Sequence, residues 1–262
     1  MYFSAEHLAL ANQALRETFG QCSIAWQAIP HWDTKDPGQM SVDNGLLGSS
    51  AGFIPLVAKQ EKFTLTVAEA IAPTPDALLT GAMAATEALA KTVDEDVLKK
   101  CFAAPPTTNH ITIPTAPNPQ QLQDRLINAR VHVENTGYRA PSCLVTNTHG
   151  LIELNQLANG YYNVLQQTLT AATINSLYRF QPLDASGQTK ARMVLIGRRR
   201  RIAQGAAPEA SPGEEPVDIA VSLPPSLEVD GETNTGKIQL SVRIRYATRV
   251  TDATGLVALK ET

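Results

Sequence analysis

The apolar positions of this chain change their period several times, and each change marks a new element. After Ser4, a helix-capping residue type, Leu8, Leu15 and Phe19, with Ala11 between them, recur at helical spacing until Gly20. An amphipathic N-terminal helix is expected there. The connector that follows holds both tryptophans, Trp26 and Trp32, then Asp36-Pro37-Gly38 and a Gly/Ser-rich stretch over 44–52 that reads as turns. From Phe53 the pattern becomes strand-like, with Phe63, Leu65 and Val67 alternating with Thr64, Thr66 and Ala68. One long extended excursion over 36–71 is the simplest reading.

Pro73 and Pro75 close that excursion, and Thr74 or Asp76 is placed to cap a helix in which Leu78, Ala82, Ala85, Leu89, Val93 and Val97 fall at three- or four-residue steps. Running to Phe102, it would be on the order of 40 Å long, more than a small core needs. It reads as a spine. Pro105-Pro106 stops it, Ile111 and Ile113 alternate with Thr112, and Pro114, Pro117 and Pro119 form a stiff turn before a helix over 120–134 that Gly137 ends. A short buried strand follows over 142–146. Leu151, Leu154 and Leu157 mark another helix, stopping at Asn159-Gly160.

After Tyr161 strands and loops are expected: 192–196 is apolar, 206–216 is rich in Ala, Pro, Gly and Glu, and 217–223 is strand-like until Pro224-Pro225 breaks it. Ile238, Leu240, Val242, Ile244 and Tyr246 then alternate with Gln239, Ser241, Arg243, Arg245 and Ala247, one face apolar and the other partly basic. The fold class is α+β.

Composition narrows the function classes. The chain has 262 residues, 43% hydrophobic and 18% charged, which suits one or two compact domains. A net charge of -3 predicts no whole-chain affinity for nucleic acid, so any basic patch must be local. Cys22, Cys101 and Cys143 are too few and too scattered for a disulfide framework or a zinc site, and reduced, mostly buried thiols are expected. The start, Met1-Tyr2-Phe3-Ser4-Ala5-Glu6-His7, lacks the basic and apolar regions of a secretory signal, so cytoplasmic synthesis is expected. No apolar stretch approaches the roughly 20 residues that cross a bilayer, and no membrane partner is expected.

Several motifs point to chemistry and fail on context. Gly231 to Lys237 matches the first seven positions of a phosphate-binding loop, but position eight is Ile238 where magnesium needs Ser or Thr, and a strand follows where a helix is required. A hairpin turn is expected. Gly48-Ser49-Ser50-Ala51-Gly52 has the spacing of a nucleophile elbow, yet Asn44-Gly45 before it and Pro55 after it read as a loop; a hydrolase using Ser50 with His149 is kept only as a rival. His7, His31, His110, His132 and His149 are dispersed, without metal-binding spacing. Asp94, Glu95 and Asp96, being consecutive on a helix, point to different faces, which favours salt bridges or solvation. No catalytic, cofactor or metal residues are assigned, and the chain is not expected to be an enzyme. Arg198-Arg199-Arg200-Arg201 is the dense basic run, read as interface or solvated arginines in preference to nucleic-acid contacts. Trp26 and Trp32, with these four arginines, Arg243 and Arg245, form the candidate subunit-interface set, since interfaces favour Trp and Arg.

The order of these elements resembles the HK97-like fold of tailed-phage major capsid proteins and of encapsulin shells, over nearly the whole chain. The family's arm helix resembles residues 4–20, its extended loop 36–72, and its spine helix 76–102 with Asp94 and Asp96. Its helix, apolar strand and helix opening the axial domain resemble 122–134, 143–146 and 150–157, and its late Arg-rich strands resemble 242–246 and 255–259. The resemblance implies an N-terminal arm over 1–35, an extended loop over 36–72, a peripheral domain with the spine over 73–135, an axial domain over 136–227, and C-terminal strands over 228–262 returning to the peripheral domain. It implies a structural subunit, assembled in many copies as pentamers and hexamers of an icosahedral head around double-stranded DNA held by non-specific contacts. Scaffold, portal or cement proteins would be further partners, and the place would be the virion, built in the host cytoplasm. An encapsulin enclosing cargo enzymes in a bacterial cytoplasm is the alternative, and an adaptor or tail component another. Loop lysines crosslink in some members; Lys59 and Lys62 lie in that segment, but no acceptor is marked and no crosslink is assigned.

Overall fold

In the computed structural model, which describes residues 2–46, 50–158, 162–163, 165–184, 190–198 and 215–262, the Ser4 side chain accepts from the His7 amide and starts α1, Ala5–Cys22. Ala11, Leu15 and Phe19 form its buried face, the stripe that the periodicity marks. Ser23 caps the short α2, Ile24–Ala28, and the chain extends into β1, His31–Asp33. A small antiparallel hairpin follows, made of β2, Ser41–Asp43, and β3, Phe53–Pro55. β4 then runs Val57–Thr66. The alternation was expected to continue through Val67, but Thr66 and Glu69 satisfy each other in a capping box, which ends the strand and opens α3, Val67–Ala70.

The spine is α4, Asp76–Ala103. Neither expected residue caps it: Pro75 holds the cap position, and the Thr74 hydroxyl instead donates to the Asp76 carboxylate at 2.8 Å. Its buried stripe includes the six positions read from the sequence, from Leu78 to Val97. β5, His110–Ile113, precedes α5, Pro119–Asn135, which opens on an Asn118/Gln121 capping box. β6, Arg139–Thr146, leads into α6, Thr148–Leu154. Leu157 was expected in that helix; it lies instead in β7, Leu157–Ala158, paired with β8, Tyr162–Asn163. α7, Leu165–Ala171, is a helix where strands and loops were expected. The rest is strand: β9, Ile174–Arg179, β10, Arg192–Arg198, β11, Val217–Glu232, β12, Lys237–Val250, and β13, Leu256–Glu261.

Two sheets organise the molecule, ordered β1-β11-β12-β4 and β5-β13-β10-β6-β9. β11 does not break at Pro224-Pro225, because register shifts between Val221 and Ser226 let two residues without amide donors pass along the β12 pairing. Its other neighbour, β1, pairs only as far as Val221, so the prolines face an unpaired edge. α1 and α4 cover one face of the first sheet, and Leu15, Leu89, Val93, Val242 and Ile244 share one core there. That core continues onto the second sheet through Cys143, Val145, Val194 and Ile196. The other face of the second sheet, with Leu144, Met193, Leu195, Val257 and Leu259, packs on Leu122, Leu126 and Val133 of α5. Burial on both faces explains why its inner strands β10 and β13 read as apolar runs.

The sheets cut the chain differently from the sequence boundaries. β5 and α5, placed with the spine in 73–135, and β13, placed with the strands of 228–262, belong to the second sheet and its core, while the end of 136–227 enters the first sheet as β11. The reason is packing: β13 fits between β10 and β5, with both faces of its apolar residues covered.

Gly255 marks where β13 begins, and a Cβ there would lie 2.6 Å from Pro216 Cβ and 2.7 Å from the buried Tyr138 ring. That ring is also held by its hydroxyl, which donates to Asp252 at 2.8 Å. Gly255→Ala is expected to destabilise the chain by about 1–3 kcal/mol through overpacking. Urea unfolding of the unassembled chain checks this; an unchanged midpoint would refute it.

Candidate assembly surfaces

The hairpin, part of the stretch read as one long extended excursion, is docked on its own sheet. Val42 and Leu56 pack against Ala220 and Ala247, with Trp32 and Ile54 at the edge of the cluster. Ala247 alternates with Tyr246, which faces the spine, so this is the sheet face away from α4. Arg249 sits beneath the hairpin. Its Nε and Nη2 donate to the two Asp218 oxygens at 2.7 and 2.6 Å, and Nη1 donates to the Asp43 carbonyl at 3.3 Å and carboxylate at 3.1 Å. Trp32 lies 4.8 Å from the guanidinium and donates from Nε1 to Asp218 at 3.2 Å. Arg249 and Asp218 are buried, with side chains only 3% and 4% exposed, so each needs the other. Gly45, at φ 72°, brings the hairpin backbone so near that an added Cβ would meet Thr251 Cγ2 at 2.5 Å.

On the other face of the sheet, the acidic run of the spine divides its work. Asp94 is buried and accepts from Ser23 Oγ at 2.6 Å and from the Ile24 and Ala25 amides at 2.9 Å each, which fastens the start of α2 to the spine. Burial holds its carboxyl above the usual value, against the opposing effect of those three donors. Glu95 pairs with Lys99 at 3.0 Å. Asp96 takes Lys59 at 2.6 Å and the Tyr246 hydroxyl at 3.2 Å, tying β4 and β12 to α4; burial, then Asp96, pushes the Tyr246 phenol up. Lys59 is thereby held within its own chain. The cysteines are free: Cys101 and Cys143 are buried, which pushes each thiol up to about 12, and Cys22 is exposed.

The predicted interface residues fall into unlike settings. Trp26 stacks on His31 with ring centroids 3.8 Å apart and meets Phe19 edge-on at 5.2 Å, and Trp32 belongs to the Arg249 node; both are half-buried and serve internal packing. Arg198 donates to the Ala28 carbonyl at 3.4 Å and faces Glu215 at 3.9 Å. Arg199, Arg200 and Arg201 lie outside the described residues. Arg243 pairs with Glu228, and Arg245 donates to the Pro37 carbonyl at 3.2 Å, at the foot of the hairpin. Sequence reading missed Arg249, Asp218, Asp43 and Phe53; the one available signal was a charged residue at the end of an otherwise alternating strand.

The chemical motifs are placed by the same geometry. Gly231 to Lys237 is the β11–β12 turn, closed by the Thr233 amide donating to the Lys237 carbonyl at 2.7 Å. Ser50 lies in the hairpin loop, where its carbonyl accepts from Asn44 at 2.8 Å, while His149 lies in α6 beside the second sheet. Among the described residues no cluster of metal-ligating side chains forms, and no helix is long and apolar enough to cross a membrane. A cleft of about 600 Å³ opens between the end of α1, the spine and the segment after β9, but its charged residues, Lys91, Asp94, Glu95, Arg179 and Asp184, are of both signs. Among the described residues Phe53, 80% exposed, and Met40, 64% exposed, are the most exposed large apolar residues, both at the hairpin.

No protein-family model matches this sequence, and no curated protein matches it. Solved structures do. A virus-like particle from Pyrococcus furiosus superposes with a TM-score of 0.71 over 97% of this chain and 98% of that chain, at 15% identity. The capsid of Myoviridae phage XM1 gives a TM-score of 0.54 over 89% and 90%, at 12% identity. The holo-SrpI encapsulin complex from Synechococcus elongatus PCC 7942 gives 0.56 over 91% and 87%, at 11% identity. The chain therefore has the HK97-like capsid fold, in the α+β class.

Two variants test the polar anchors. Arg249→Met strands the buried Asp218 and is expected to cost about 3–5 kcal/mol in urea unfolding; a loss near zero would refute the node. For Asp94, a raised carboxyl value means that the folded chain binds this proton more tightly than the unfolded one, so its contribution grows as pH falls from neutral toward its ordinary 3.8. Asp94→Asn lacks that titration. The stability gap between the native chain and Asp94→Asn is expected to widen on acidification, and a gap that narrows would show the opposite sign.

Proposed function

We propose that the chain is the major capsid protein of a tailed-phage-type head: a structural subunit, not an enzyme, that assembles in many copies into an icosahedral shell around double-stranded DNA. The observation that carries this reading is the superposition on assembled shell proteins over nearly the whole length of both chains. The exposed apolar side chains on an otherwise anchored hairpin support it, because such surface is covered when copies meet. Scaffold, portal or cement proteins and non-specifically held DNA are the partners of this reading, and the virion is its location. The likeness to an encapsulin in its holo complex favours a second reading, a cytoplasmic nanocompartment around cargo enzymes.

Electron microscopy of the chain expressed with and without a co-expressed scaffold, combined with the ultraviolet absorbance ratio of purified particles, tests both. Closed icosahedral particles that need a scaffold, or that take up DNA, are expected for the head. Small uniform particles formed by the chain alone, carrying co-purified protein and no nucleic acid, would transfer the assignment to the compartment. A chain that stays monomeric under all these conditions would overturn the shell reading itself.

A further inference from the structure

A methionine sulfur is a weak acceptor that oxidants convert to a polar sulfoxide, and the setting of the side chain decides what that conversion does to a fold. Met193 is fully buried in the core of the second sheet, and Met83 on the spine is 38% exposed. Met40 is 64% exposed and belongs to none of the apolar clusters of the described residues. An oxygen added to it displaces no packed neighbour.

The main chain at Met40 is nevertheless fixed. Its carbonyl accepts from the Leu56 amide at 2.8 Å, and the turn before it is closed by the Gln39 amide donating to the Asp36 carbonyl at 3.1 Å and the Gly38 amide donating to the Asp36 carboxylate at 2.8 Å. Beside the thioether stands Arg245 of β12, whose Nη1 donates to the Pro37 carbonyl at 3.2 Å and reaches Met40 Sδ at 3.6 Å. A terminal guanidinium nitrogen carries two hydrogens, so one serves each acceptor. Arg243 and Arg249, on the same face of β12, pair with carboxylates, whereas both of these acceptors of Arg245 are uncharged.

The geometry points to Met40 as an oxidation site whose sulfoxide is held by Arg245. In the reaction with hydrogen peroxide a peroxide oxygen bonds to Sδ as the O–O bond breaks; sulfur gives up two electrons, and the rest of the peroxide leaves as water. The new oxygen is a stronger acceptor than the sulfur, and Nη1 stands within its reach. A weak N–H···S contact becomes a charge-assisted N–H···O bond between β12 and the residue just before β2. Oxidation disrupts a packed methionine, but at this one it tightens the foot of the hairpin. The inference concerns the single chain and does not depend on the shell reading.

Limited hydrogen peroxide applied to the unassembled chain, followed by peptide mass spectrometry and urea unfolding, tests it. Met40 is expected to take up an oxygen before Met83, with Met193 unmodified in the folded chain. Oxidation should lower the unfolding equilibrium constant of the native chain about three- to tenfold. It should leave that of Met40→Leu unchanged, which reports what oxidation does at the other methionines. In Arg245→Leu the gain should vanish, and because each chain is compared with its own reduced form, the cost of the substitution itself cancels. Met83 oxidising before Met40, or an oxidised native chain no more stable than its reduced form, overturns the inference, and so does a gain that persists in Arg245→Leu. If Arg245→Leu does not fold, the native and Met40→Leu chains decide: an equal response of the two to peroxide overturns it.

Discussion

A guanidinium can be buried only when its nitrogens find oxygens, and Arg249 meets that constraint by drawing four strands to one point. Asp218 on β11 takes two of its nitrogens, Asp43 on β2 takes the third, and Trp32 on β1 lies against its ring plane. Removing Arg249 or Asp218 leaves the charge of the other buried and unpaired, which costs several kcal/mol. The hairpin therefore has one position on its sheet. Apolar burial alone would not impose this, since hydrophobic contact has no direction and the few residues beneath the hairpin could slide.

Asp94 plays the matching part on the opposite face. The apolar stripe of α1 needs a partner, and α4 supplies one, but three donors converging on a single buried carboxylate decide where α1 ends and α2 begins. The helix that the sequence places in an arm is in this way part of the subunit core, with Leu15 and Phe19 fully covered. Lys59 and Tyr246, meeting at Asp96, close the gap between the spine and the edge strand. Polar contacts set the geometry, and the core between them supplies the driving force.

What could be read from the sequence was whatever a local period encodes. α1, α4 and β12 follow stripes of three to four or of two residues, and nearly all of the apolar positions read from them are buried. The errors came where a local rule met a distant partner. Two prolines predicted the end of β11, but β12 holds the strand together across a register shift. β13 lies in a segment that the resemblance groups with β12, yet its pairing with β10 and β5 spans much of the chain. The same limit hid the node: Asp43 and Arg249 are 206 residues apart, and nothing near either one announces the other. Arg249 shares the basic face of β12 with Arg243 and Arg245 and differs from them only because the hairpin covers it.

Under the proposed shell reading, anchoring within the single chain lowers the cost of bringing copies together. A loose loop or arm loses conformational freedom when it is captured by a neighbour, and that loss is subtracted from the free energy of every contact. Here the hairpin and the N-terminal helix are ordered within the single chain, so little of that cost remains when copies meet. Under the proposed shell reading weak contacts would then suffice, since each copy would repeat them and a closed particle would sum them. The ion pairs that fix the hairpin thus act on a surface they do not touch, by holding Phe53 exposed at its face.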